Sequence, residues 1–126
     1  MERITKEIIQ ELINNKMELC STHTKLCLPI ITRIYKKMLG DIKFSGIKVE
    51  DNLICDGHHR YIASLLANFP LERISGSSTS ATAVVPWKSV IFEEDDWDTV
   101  AKIKMLNEQD AEYNNIAIGK IVELLK

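Results

Sequence analysis

Ile54-Cys55-Asp56-Gly57-His58-His59-Arg60-Tyr61-Ile62-Ala63 is the stretch in which the apolar pattern changes from alternating to helical. Upstream, Phe44, Ile47, Val49, Leu53 and Cys55 fall around the polar run Glu50-Asp51-Asn52, which predicts two short strands joined by a tight turn. Downstream, Tyr61, Ile62, Leu65 and Leu66 make one helical face as far as Asn68, and Pro70 discourages continuation. Gly57 stands at the junction, where the chain must turn sharply. A strand, a turn and a helix in that order predict an α+β domain with a small mixed sheet flanked by helices.

Working outward, residues 2–19 place Ile4, Ile8, Ile9, Leu12 and Ile13 at helical spacing, predicting an amphipathic helix. Ser21-Thr22-His23-Thr24 reads as a cap or turn. A second helix is expected from Pro29 to Leu39, stopped by Gly40. Residues 75–83, SGSSTSATA, have no period and read as a surface loop. Val84-Val85-Pro86-Trp87 and Val90-Ile91-Phe92 look like strand material, with Pro86 confining the first to an edge or bulge. Asp96 or Asp98 can cap a helix through Val100, Ile103, Leu106 and Ala111, and Ile116 to Leu125 predicts a closing helix. Residues 1–126 are thus expected as one domain: a helical part over 1–40, the strand-turn-helix core over 41–92 and an acidic helical part over 93–126.

Composition agrees with one globular unit: 126 residues, 45% hydrophobic and 27% charged, with only 5 Gly and 3 Pro. Against 18 acidic residues stand 16 basic ones, a net charge of -2 that lacks the basic excess of a nucleic-acid coat, so direct nucleic-acid binding is not expected. No apolar run approaches the roughly 20 residues of a membrane span, and MERITKEIIQE carries no signal-like apolar stretch, so a cytoplasmic protein without membrane contact is expected. Three cysteines, Cys20, Cys27 and Cys55, then default to free thiols. The charge is uneven: residues 1–60 hold 10 basic and 8 acidic side chains, residues 61–126 hold 6 and 10. Most of the excess lies in Glu93-Glu94-Asp95-Asp96-Trp97-Asp98.

The turn at Gly57 carries the chemistry. A helix opening there aims free N–H groups and the positive end of its dipole at whatever lies above. His58, His59 and Arg60 add donors on the first helical turn, the guanidinium suiting bidentate contact with phosphate, while Asp56 could hold a metal, a hydroxyl or an imidazole. Gly57, His58, His59 and Arg60 are therefore the candidate phosphate or nucleotide site. The same pattern also serves as a bare capped turn, and spacing does not choose between the two.

The run DGHHRYIASLLA, behind a hairpin ending in LIC, resembles the helix-opening motif of the ParB and sulfiredoxin superfamily. The resemblance covers about residues 26–74 and implies that Gly57 makes the turn and His59 and Arg60 bind nucleotide phosphate. Where sulfiredoxins carry an attacking cysteine before the His-Arg pair, this chain has His58, so their chemistry is not expected here. Nor is the partition role, since the DNA-binding and dimerisation domains that follow in such ParB proteins are not expected in this chain. Relatives with an intact Asp-Gly-His-His-Arg run include nucleotide-using phosphotransferases, and that likeness would make Asp56, His58 and His59 the acid/base or metal candidates, with Mg²⁺ beside the nucleotide.

Two weaker constellations remain. Cys20-x-x-His23-x-x-x-Cys27 could supply zinc ligands, but buried or half-exposed free thiols fit its spacing better, and no metal is assigned. Glu93, Glu94, Asp95, Asp96 and Asp98, flanked by Trp87, Phe92 and Trp97, fit a surface for a basic protein, although consecutive acids are commonly just a solvated face. Weighing the acidic half against the motif, the expected function is a small acidic binding protein of inhibitor or immunity type that neutralises a basic partner such as a nuclease toxin. That reading needs no cofactor and no catalysis. The alternative is a nucleotide- or phosphate-binding protein, or a phosphotransferase, built on Asp56 to Arg60.

Overall fold

The computed structural model describes residues 3–15, 17–78 and 82–126. The strand-turn-helix core forms as the residue pattern demands. Strands β2 (Ile47–Glu50) and β3 (Leu53–Asp56) pair antiparallel across a turn in which Asp51 takes a φ of 55°. A bulge in this pairing, between Lys48 and Val49, sets Lys48 opposite Asp56 just before the chain turns. Helix α3 (His58–Ala67) follows and ends on Asn68 in the left-handed conformation.

Other elements depart from their expected bounds for local reasons. Helix α1 is Lys6–Asn15, shorter than 2–19. Thr5 Oγ1 accepts from the Ile8 N–H at 3.3 Å at its start, and beyond it the N–H groups of Glu18 and Leu19 donate to Tyr61 Oη instead of continuing the helix. The 21–24 segment leads into a three-residue strand, β1 (Lys25–Cys27), which runs parallel to β5 (Ile91–Glu93). Helix α2 (Leu28–Leu39) begins with Pro29 in its first turn, as expected. Ser75 ends strand β4 (Arg73–Ser75), which pairs parallel with β2, so the aperiodic loop starts later than residue 75; residues 79–81 of the expected loop lie outside the described residues. The expected strand over 84–87 is instead a single bridge at Val85 and a 3-10 turn over Trp87–Ser89, because Pro86 has no N–H to give a sheet. Helix α4 (Val100–Tyr113) is capped by Thr99, whose Oγ1 accepts from Lys102 N–H at 3.1 Å, not by Asp96 or Asp98. Helix α5 (Ile118–Leu124) closes the chain.

The described residues thus build one α+β domain with two small sheets, ordered β1-β5 and β3-β2-β4. Ile9, Leu26, Ile31, Ile47, Ile54 and Ile62 meet in the main core. Ile42, Ala111 and Ile121 form a smaller core with α4 and α5, and Phe44 packs against both cores. Among the described residues no helix is long and apolar enough to cross a membrane.

Candidate functional site

Gly57 has a φ of +100°, and a Cβ there would sit 2.6 Å from Ile47 Cγ2 and 2.8 Å from Arg60 Nη2. Only glycine lets the turn into α3 lie so close to Ile47 of β2.

The two histidines of the motif turn inward from this start. His58 is 2% exposed, its ring stacked on His23 at 3.9 Å. Its Nε2 accepts the Thr22 N–H at 3.1 Å, while Thr22 Oγ1 donates to Ile54 O at 2.8 Å. An Nε2 that accepts places the proton of the neutral ring on Nδ1, and Nδ1 is buried without a partner among the described residues. Burial, then the neighbouring His23 and His59, push its pKa down to about 3. His59 Nε2 accepts the Cys27 N–H at 3.0 Å, and its ring meets Trp97 edge-on at 5.5 Å. Burial and His23, opposed by Asp98, bring its pKa to about 4. At neutral pH both rings are uncharged and bind backbone: they fasten residues 22–27 to α3. His58 is poorly placed as a phosphate donor or acid/base group, since its Nε2 is engaged and its Nδ1 is buried, and His59 has its Nε2 engaged as well.

Asp56 faces outward, and Arg60 is half-buried beside it. The Asp56 side chain is exposed and lies 3.5 Å from Arg60 Nη2, which also donates to Gly46 O at a long 3.4 Å. Arg60 Nε is buried with no partner among the described residues, so the five-donor guanidinium is only loosely engaged. It lines a pocket of about 370 Å³ between α2, α3 and α4, within the range of small-ligand sites.

Three more cations line that pocket: Arg33 and Lys37 from α2, and Lys43 from the chain that follows it. Lys37 is 4% exposed and donates to Asp110 of α4 at 2.6 Å. Arg33 makes a bidentate pair with Asp96 at 2.5 and 3.0 Å and reaches Asp98 at 3.0 Å. The Arg33 hydrogen bonds hold the Asp96 carboxyl below its usual range. Asp98 and Asp110 also line the pocket, and Asp96 and Asp56 pair with its Arg33 and Arg60, so among the described residues Lys43 is the lining cation with no carboxylate beside it. Ile34, Phe44, Ile103 and Leu106 supply apolar wall.

The acidic run divides. Asp96 and Asp98 are tied to Arg33, and Glu93 Oε1 accepts from Trp97 Nε1 at 2.8 Å. Glu94 and Asp95 are exposed, beside a Trp97 that is 46% exposed. Cys27 Sγ donates to Asp95 O at 3.4 Å, which fixes this loop to β1. Among the described residues no three His, Cys, Asp or Glu side chains gather as a metal site.

Sequence reasoning passed over Arg33, Lys37 and Lys43. The available signal was Arg33-x-x-x-Lys37, two cations one turn apart on a helix otherwise read for its apolar face. In comparison with known proteins, the chain matches no family model, no curated protein and no solved structure.

Proposed function

We propose that this protein binds a nucleotide or a comparable phosphate-bearing small molecule in the pocket between α2, α3 and α4, with Arg60 as the anchor. The observation that carries this reading is the loosely held Arg60 guanidinium in the wall of a pocket that the exposed Lys43 also lines. A phosphate has the geometry and charge to take the unfilled N–H groups of Arg60 and the ammonium of Lys43. Apolar walls leave room for the less polar remainder of the ligand. The role is read as binding rather than acid/base chemistry, because the Nε2 lone pair of each motif histidine is taken by a backbone N–H. Asp56, exposed beside Arg60, is the carboxylate available for a metal ion accompanying the phosphate.

Titration calorimetry with pyrophosphate, ADP and CDP tests the reading. Binding is expected to weaken roughly 10- to 100-fold in Arg60→Gln, the loss of a charge-assisted contact of about 1.5–3 kcal/mol. No binding of any of the three, or equal binding by the variant, would overturn it.

A second reading rests on a different face. Glu94, Asp95 and Trp97 are exposed together, which suits docking of a basic protein of the nuclease-toxin kind, with this chain as its inhibitor. Such an association should slow steeply with added salt and slow further in a Glu94→Lys, Asp95→Lys double variant; an on-rate indifferent to both sinks this reading.

A further inference from the structure

The same pocket holds a second polar group with nothing to bind. Asn107 of α4 is 7% exposed, lines the pocket, and its Oδ1 has no hydrogen-bond partner among the described residues. Buried amides are almost always satisfied, so an orphan at the wall of a cavity calls for an explanation in the cavity. Its helix does not require it: α4 is capped by Thr99 at one end, and Asn114 bonds Asp110 O at the other. Leu106 and Ile103 beside it show that apolar residues are accommodated along this wall.

We infer that Asn107 is the residue that reads the non-phosphate half of the ligand, by pairing with the hydrogen-bonding edge of a nucleobase. This rests on the phosphate reading of Arg60 given above. A carboxamide offers a donor and an acceptor side by side and can turn over to exchange them, so it matches the adjacent donor and acceptor on a base edge. Phe44 and Tyr113 line the same pocket and provide aromatic surface against which a planar ring can stack. Neither feature has a use for a bare phosphate or pyrophosphate. The pocket therefore has two separable ends: Arg60 and Lys43 fix the charge, and Asn107 on α4 selects what carries it.

The test is calorimetry on the full chain with pyrophosphate, ADP, CDP, GDP and UDP, using wild type, Asn107→Leu, Asn107→Ala and Arg60→Gln, with circular dichroism melts on each. At least one nucleoside diphosphate should bind ten or more times tighter than pyrophosphate. Asn107→Leu should bring that ligand down to the pyrophosphate level and leave pyrophosphate binding unchanged, while Arg60→Gln weakens both. Asn107→Leu should melt no lower than wild type, since it removes an unsatisfied buried group; Asn107→Ala repeats the binding test should the larger side chain not fold. Pyrophosphate bound with Arg60 dependence but no gain from any base would overturn the role of Asn107 and leave the phosphate site standing. Equal losses of pyrophosphate and nucleotide in Asn107→Leu, or a lower melting temperature in both Asn107 variants, would show a structural residue and overturn it too. Pyrophosphate and all nucleotides failing to bind would remove the phosphate site and this inference with it.

Discussion

His58 and His59 illustrate how one residue type at one turn can be read two ways. In the sequence they stand where donors to a phosphate would stand; in the fold each gives its Nε2 to a backbone N–H, of Thr22 and Cys27. Nothing in the sequence marks those partners, which lie 36 and 32 positions away. The consequence is a pH dependence of stability. Both folded pKa values, about 3 and about 4, lie below the ordinary 6.5, so between pH 6.5 and 4 the unfolded chain binds protons that the folded chain refuses. Stability should be full above pH 6.5 and fall as the pH drops, by up to about 1.4 kcal/mol per pH unit for each histidine. Urea unfolding at pH 7, 6 and 5 measures it, and a midpoint that holds steady across this range contradicts the arrangement. The sequence places Arg60 in the first turn of a helix that opens on glycine, and from there its guanidinium reaches back to Asp56 and to Gly46 O.

At the scale of elements, what could be read depended on length. The hairpin of β2 and β3, helix α2 and helix α3 each carry enough residues for a period and a stop signal to show. Strands β1 and β4 have three residues each, too few for alternation to be distinguished from chance, and they exist because β5 and β2 offer them a parallel edge. Helix α4 was foreseen, but not how it is held. Its clasp on α2 is Lys37 to Asp110, with the lysine buried and the carboxylate half-buried. Removing one partner of such a pair leaves a charge without compensation, whereas removing both is close to neutral. Asp110→Ala should therefore destabilise by about 3 kcal/mol, and adding Lys37→Met should recover most of that loss in a double-mutant cycle. Additive losses in the cycle would mean that the two side chains do not act as a pair.

Across the whole molecule the pocket lies at the seam between two unequal cores. The main core joins α1, α2, α3 and both sheets, while the smaller one has Ile42, Ala111 and Ile121 at its centre, with Phe44, Ile116, Leu124 and Leu125 packed against them. Three side-chain apolar anchors cannot match the stability of the sixteen buried residues of the main cluster, so α4 and α5 should open before α2 and α3 do. The clasps across the seam are polar: Arg33 to Asp96 and Asp98, Lys37 to Asp110, and Asn114 Oδ1 accepting from Lys43 N–H at 2.7 Å. A ligand seated on Arg60 and touching Asn107 would bridge the two cores and bind only the closed arrangement, which stabilises it by about 2.7 kcal/mol at a hundred times its dissociation constant. Hydrogen exchange should then show α4 and α5 amides exchanging faster than those of α2 and α3 in the free protein. Saturating nucleoside diphosphate should slow α4 selectively. Uniform protection of all four helices without ligand would show that the seam does not open separately, and α4 would then be a fixed wall of the pocket rather than its movable side.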